Sequence, residues 1–263
     1  MAFSLAAYER LLDVFRETGR ALLGVADTLD APPESLSRTI TLRHDVDRFA
    51  SRAVALASRE RRKGIAATYY FRCTASGSWN ERAITAVADL GHEVGYHHET
   101  LSRHNGHIET ALEAFARNLA SFRQIAPCVT VSMHGAPLSA HDNRDLTCHI
   151  DFAKLGLKGD AVDHMTPLDP VYLTDTGGRW NADGSHNLRD RVGQWPDIPD
   201  PDNASSFRNW LATSKHLLYL NTHPERWASS ALGQAQAALT DAGTNLVKRV
   251  IVATSRKPAA LDA

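Results

Sequence analysis

Five apolar runs in this chain each end on a carboxylate or an imidazole. Residues 39–43 lead into His44-Asp45-Val46-Asp47, and residues 93–96 into His97-His98-Glu99. Residues 129–133 lead into His134-Gly135, 171–174 into Asp175-Thr176, and 217–222 into His223-Pro224. Two carboxylates spaced by two let one point into a mouth while the other binds a metal or a neighbouring base. An isolated pair of this kind is also a common helix N-cap, and a helical pattern starts here at Phe49. Imidazole suits zinc, nickel and cobalt, and it transfers protons near neutral pH. His134 and His223, each directly after an apolar run, are therefore candidate proton-transfer groups. Asp175 either orients a histidine or closes a turn.

The elements that must hold these residues alternate between two periods. Short β-rich runs (TITLR, ATYYFR, HEVGYH, VTVSM, HIDF, VYLTD, HLLYLN) are interleaved with helical patterns. The clearest helices follow Arg48, Asn80 and His107, and the last covers the C-terminal stretch. Strand alternating with helix predicts parallel β units with helical crossovers. In a (β/α) barrel the C-terminal strand ends converge on one mouth, where catalytic groups sit. A solvated loop accounts for one charged strand end, but poorly for five. Alternation puts His97 on the opposite side of its strand from Tyr96 and His98, so His97 is the one expected in the mouth. His98 reads as a core or surface histidine and His92 as a structural hydrogen-bonding one. The histidines at 104, 107, 141, 149, 164, 186 and 216 lack such a context.

Length and composition bound the rest. A chain of 263 residues with 43% hydrophobic and 22% charged residues suits one globular domain. We expect a single domain over 1–263, with an N-terminal helical extension over 1–37 and an irregular Gly/Pro/Asp/Asn-rich insertion over 177–203. In that extension Leu5, Tyr8, Leu12 and Phe15 share one helix face. The net charge of 29 − 30 = −1 draws the chain to neither nucleic acid nor an anionic membrane. No apolar run approaches the roughly 20 residues of a membrane helix, and no signal-peptide pattern is visible, so a cytoplasmic location without membrane insertion is expected. Cys73, Cys128 and Cys148 form no metal-binding pair and no disulfide framework.

Six blocks in order, LRHDVDR, GIAATYYFR, LGHEVGYHHE, VSMHGAPLSAHDNR, YLTDTGGRW and LNTHPERW, span Thr39 to Trp227. Together they resemble the polysaccharide deacetylase superfamily (carbohydrate esterase family 4), and within it the bacterial HDVD-type branch linked to surface-polysaccharide gene clusters. The resemblance implies a distorted (β/α) barrel and a divalent metal, zinc first, with nickel or cobalt as alternatives. It assigns Asp45 as general base, Asp47 and His97 as metal ligands, and His223 as general acid. The family's second ligand histidine falls at Leu101, which cannot donate. Glu99 is the favoured replacement, since it would share His97's side of a regular strand, and His134 is the other. Where the family carries an Arg-Pro pair this chain has His134 and Pro137. Arg43, Tyr96 and Trp180 are the expected substrate contacts. The implied activity is removal of an N-acetyl group from an acetamido sugar, as a nucleotide sugar or lipid-linked glycan intermediate. Two rivals stand beside it: hydrolysis of another amide, such as a cyclic ureide or formamide, and a catalytically silent sugar-binding barrel. Nothing in the sequence sets the oligomeric state.

Overall fold

The computed structural model describes residues 3–137, 139–180 and 189–255. Its scaffold is one sheet of eight strands: β1 (Ala21–Leu23), β2 (Thr39–Val46), β3 (Thr68–Phe71), β4 (Glu93–His98), β5 (Thr130–Met133), β6 (Gly159–Asp160), β7 (Val171–Thr174) and β8 (Leu218–Thr222). Every pairing is parallel, in the order β6-β5-β4-β3-β2-β8-β7, with β1 lying against the start of β2. Among the described residues no ladder joins β6 to β7, so the sheet curls into a half-barrel, a distorted (β/α) barrel in a single domain. Parallel strands need crossovers. Most of these are helical: α4 (Ala50–Arg62), α5 (Glu81–Asp89), α6 (Thr100–Arg103) with α7 (Ile108–Phe122), α8 (Arg144–Thr147) and α9 (Ala204–Thr213). Helices α1 (Leu5–Glu17), α2 (Val25–Asp30) and α3 (Pro33–Leu36) precede β2, and α10 (Ala231–Ser255) follows β8.

Alternation along each strand decides what reaches the mouth. On β2, Ile40, Leu42 and Val46 join the outer core beneath the helices, and His44 on the same side hydrogen-bonds Glu60 of α4 at 2.9 Å. Thr41, Arg43 and Asp45 alternate with them on the inner face. That interior is floored by Tyr70, Tyr172 and Tyr219, all fully buried. Tyr219 Oη reaches across it to donate to the Ala161 carbonyl at 2.8 Å. Gly95 on β4 makes room for the floor: a Cβ there would stand 2.5 Å from the Tyr70 ring and 2.7 Å from the Thr130 carbonyl.

Two expectations change. HIDF, read as a strand, is a turn after α8, and the strand on that edge is β6, only two residues long. The segment before residue 38 is more than a helical extension, because it contributes β1 to the sheet and Tyr8 to a buried cluster. Of the 177–203 insertion, the described parts hold no helix; Gln194 bridges to Val171, and Asp190 and Trp195 both reach Tyr172 of β7. Residues 181–188, with His186 among them, lie outside the described residues.

Candidate active site

Above the tyrosine floor sits Arg43, fully buried, with its guanidinium 5.8 Å from the Tyr70 ring centroid. It shares the inner face of β2 with Asp45 and grips that carboxylate with two bonds, Nε to Oδ1 at 2.9 Å and Nη2 to Oδ2 at 2.7 Å. Asn221 of β8 adds a third, Nδ2 to Asp45 Oδ2 at 3.0 Å. Burial alone would raise the Asp45 pKa, but Arg43, His97 and His223 outweigh it and hold it at about 2. The carboxylate is therefore ionised at any working pH, aimed into the cleft by a bidentate clamp.

Beside it, three atoms with lone pairs converge. His97 Nδ1 faces the Ser132 carbonyl at 3.0 Å. A carbonyl only accepts, so Nδ1 carries the hydrogen and Nε2 presents a lone pair. His134 Nδ1 faces Glu99 Oε2 at 2.9 Å. The Glu99 carboxyl, despite burial, is held far below its usual range by His134 and Arg72, so here too the hydrogen sits on Nδ1. The two Nε2 atoms lie 3.6 and 3.7 Å from one oxygen, Asp47 Oδ1. That oxygen is buried and accepts no hydrogen bond. The nearest guanidinium, Arg72 Nη1, stands 3.6 Å away, beyond hydrogen-bonding range. Burial lowers the His97 pKa to about 4, so its ring is neutral near pH 7.

Three acceptors facing one another repel unless a cation lies between them. Among the described residues no three such side chains are closed into a ready coordination sphere. Tetrahedral donors 2.0–2.1 Å from a zinc ion are about 3.3–3.4 Å apart, so the two imidazole-to-Asp47 edges, at 3.6 and 3.7 Å, are each a few tenths of an ångström longer than that. The donor set, two imidazoles and a carboxylate with an orphaned oxygen, fits a divalent cation.

Across the cleft His223, just past β8, is held by Asp175, just past β7. Its Nδ1 lies 2.6 Å from Asp175 Oδ1, and its backbone N–H donates to the same carboxylate. Trp227 Nε1 donates to Asp175 Oδ2 at 2.8 Å, so the carboxylate is fully engaged. Burial and the Arg226 charge push the His223 pKa down, but Asp175 and Glu225 prevail and raise it to about 9. The imidazolium is thus the resting form near neutral pH, with Nε2 left for the cleft.

Asp45, Asp47, His97, Glu99, His134 and His223 line one cleft of about 410 Å³, and Asp175 stands directly behind His223. Three expected roles do not match these positions, and a fourth is reassigned. Tyr96 points outward, 1% exposed, against Trp79 and Phe115 in the helical layer. Trp180 packs on Phe3 and Trp227 away from the cleft. Arg43 has no exposed surface and positions Asp45 instead of touching a substrate. Glu99 is occupied by Arg72 at 2.6 Å, by Arg103 and by His134, which makes it the partner that orients His134 and leaves His134 as the third donor.

The site also uses residues that sequence reasoning passed over. Asp190 enters the mouth, accepting from Tyr172 Oη at 2.5 Å, Asn221 at 3.0 Å and Arg43 at 3.3 Å. Arg189 holds the loop after β5 through the carbonyls of Gly135, Ala136, Ser139 and His141. From α10, Asp241 pairs with Arg226 at 2.8 and 3.0 Å, and Asn245 Nδ2 donates to the Gly177 carbonyl at 3.0 Å. Asn221 had a readable signal, since the β8 alternation places it inward beside His223. Asp190 and Asp241 had none, because long-range docking brings them in.

No family model matches the chain, and no curated protein does. Among solved structures it is similar to a CE4 family pseudoenzyme from Bacillus anthracis, at 13% identity and a TM-score of 0.39, covering 80% of this chain and 60% of that one. A Streptococcus mutans CE4 esterase matches at 12% identity and a TM-score of 0.42, over 91% of each chain. The peptidoglycan deacetylase PdaC from Bacillus subtilis, as a mutant, matches at 15% and 0.35, over 80% of this chain and 96% of that one. The chain thus spans only 60% of the length of the pseudoenzyme. At these identities and scores the likeness carries no argument about activity, which rests on the side chains.

Proposed function

We propose that this protein is a metal-dependent hydrolase that removes the acetyl group from an acetamido sugar. One observation carries the reading: a cluster of three facing lone-pair donors, Asp47, His97 and His134, shares a cleft with an ionised carboxylate and a protonated His–Asp pair. Asp47, His97 and His134 would hold a divalent cation, zinc first and nickel or cobalt as substitutes, and when bound it supplies polarisation of the amide carbonyl and a lowered pKa for water. Asp45, aimed by Arg43 and Asn221, takes the proton from the attacking water. His223 gives its Nε2 proton to the departing amine, and Asp175 keeps the ring oriented while it does so. Water and amide become acetate and the free amino sugar.

The location we propose is the cytoplasm, and the substrate an intermediate of surface-polysaccharide synthesis, carried on a nucleotide or a lipid. No helix among the described residues is long and apolar enough to cross a membrane. A second reading, a sugar-binding barrel without turnover, draws on the tight clamp on Asp45, whose pKa of about 2 makes it a weak base. Incubation with N-acetylated sugars, with and without chelator, separates the two. Acetate release that stops with chelator and returns with zinc supports the hydrolase. Sugar binding with no acetate released supports the silent barrel.

A further inference from the structure

Arg226 stands where it could undo the general acid. Its Nη1 lies 3.4 Å from Asp175 Oδ1, the same oxygen that faces His223 Nδ1 at 2.6 Å. A guanidinium on that oxygen competes with the imidazole for it. Burial and the Arg226 charge both work against protonation of His223, yet the ring stays protonated near neutral pH.

The restraint on Arg226 comes from another element. Asp241 of α10 takes the other two guanidinium nitrogens: Nε donates to Oδ2 at 2.8 Å and Nη2 to Oδ1 at 3.0 Å. Two parallel bonds fix the plane and position of a guanidinium. Only Nη1 is left for Asp175, at a length near the limit of a hydrogen bond. The Arg226 and Asp241 side chains are each 9% exposed, so salt screens the pair little. Asp241 also meets the loop after β7 directly. A Cβ at Gly178, where φ is +79°, would stand 3.2 Å from Asp241 Oδ2, so the backbone approaches that carboxylate closely because no side chain intervenes. One turn further along α10, Asn245 Nδ2 donates to the Gly177 carbonyl at 3.0 Å. Nearer its start, Gln236 Oε1 accepts from Arg52 of α4 at 3.2 Å. The helix that carries Asp241 is thus tied to the turns on both sides of His223 and Asp175.

The charges acting on His223 come from several elements. Asp175 follows β7, Glu225 and Arg226 share the turn after β8, and Asp45 and Asp47 at the end of β2 each feel its charge. Arg48 stands between Glu225 at 3.4 Å and Asp241 at 3.9 Å. Asp241 reaches the imidazole through two other side chains, Arg226 and then Asp175.

We propose that Asp241 is a positioning residue for the general acid: it holds Arg226 back from Asp175, so that Asp175 stays committed to His223 and the acid survives into the alkaline range. This rests on the deacetylase reading above. The test takes the zinc-loaded wild type, Asp241→Asn, Arg226→Gln and the double variant, and measures two things in each. One is the pH profile of acetate release from N-acetylglucosamine and UDP-N-acetylglucosamine. The other is the titration midpoint of the His223 imidazole by NMR of isotope-labelled histidines, its signal assigned by its absence from His223→Ala. Asp241→Asn should lower the alkaline limb and the imidazole midpoint together by about one pH unit, a shift of the size folded surroundings commonly impose. Arg226→Gln should raise both. Adding Asp241→Asn to Arg226→Gln should move the midpoint by less than about 0.3 unit, because a residue that acts through a partner has no effect once the partner is gone. An unmoved or raised midpoint in Asp241→Asn, an unmoved or lowered one in Arg226→Gln, or the same Asp241→Asn shift in both backgrounds overturns the role. If one single variant does not fold, the other still decides, since the two must move the midpoint in opposite directions. Midpoints that move as described without acetate release sink the hydrolase reading alone. Acetate release whose alkaline limb stays fixed in Asp241→Asn sinks the role of Asp241 alone.

Discussion

Asp45 accepts from Arg43 and Asn221, whereas Asp47 Oδ1 accepts from nothing. Asp45→Asn should therefore abolish turnover and keep its metal, while Asp47→Asn should lose both. Metal content after gel filtration checks this, and equal loss in the two variants sinks the assignment. The same reasoning ranks Glu99 below His134. Glu99→Gln should weaken metal affinity roughly 10–100-fold, as loss of a ligand's hydrogen-bond partner does. His134→Ala should weaken it more, by competition with a chelator, and the reverse order returns Glu99 to the coordination sphere. His223 must be protonated to act, and its pKa is raised to about 9. Activity should hold below that value and fall as pH rises through it, and His223→Ala should remove this alkaline limb with metal content unchanged. The strand-end residues were legible in the sequence because alternation by two fixes which side chain faces inward. Arg43 shows the limit: its inward direction follows from the same rule, but its depth beneath Asp45 does not.

Helix α1 shows what an amphipathic pattern hides. Its apolar face was readable, yet Tyr8 on that face ends in a polar cluster, donating to Glu60 Oε1 at 2.5 Å. Glu60 of α4 also accepts from Tyr69 of β3 at 2.5 Å and lies 2.9 Å from His44 of β2. Burial would raise the Glu60 pKa, but His44, His92 and the Tyr69 hydroxyl lower it, so the buried carboxylate is charged and compensated. One side chain thus ties α1 to α4 and the sheet, making the helix part of the domain core. Tyr8→Phe should cost about 1–2 kcal/mol, the range for a buried acceptor losing one of several donors. The urea midpoint measures it, and an unchanged midpoint would return α1 to the status of an appendage. Helix α10 was equally visible as a helix. That it supplies Asp241 and Asn245 to the cleft was not, because helical periodicity says nothing about which distant loop a face will meet.

At the scale of the whole molecule the candidate donors sit on one arc of the half-barrel. Asp47 follows β2, His97 ends β4 and His134 follows β5, while Arg72 follows β3 between them. The strand order that makes them neighbours was not written in any one block. Alternating strands and helices imply parallel units, but only the observed order β5-β4-β3-β2 brings residues 47, 97 and 134 around a common point. A cation there would add a link among three strand ends already joined by ladders, by the pairs around Arg72 and by the His97–Ser132 and His134–Glu99 hydrogen bonds. It would bind the folded chain alone, since the unfolded chain does not hold these donors together. Such a ligand at about 100 times its dissociation constant stabilises by roughly 2.7 kcal/mol. For a chain of this length that is a rise of about 5–10 °C in unfolding temperature. Zinc added to chelator-treated protein should give that rise, and Asp47→Asn should remove it while its own unfolding temperature without metal stays near the wild type's. If zinc raises the unfolding temperature of Asp47→Asn as much as that of the wild type, the ion binds elsewhere and the three facing donors need another cation, a proton shared between them.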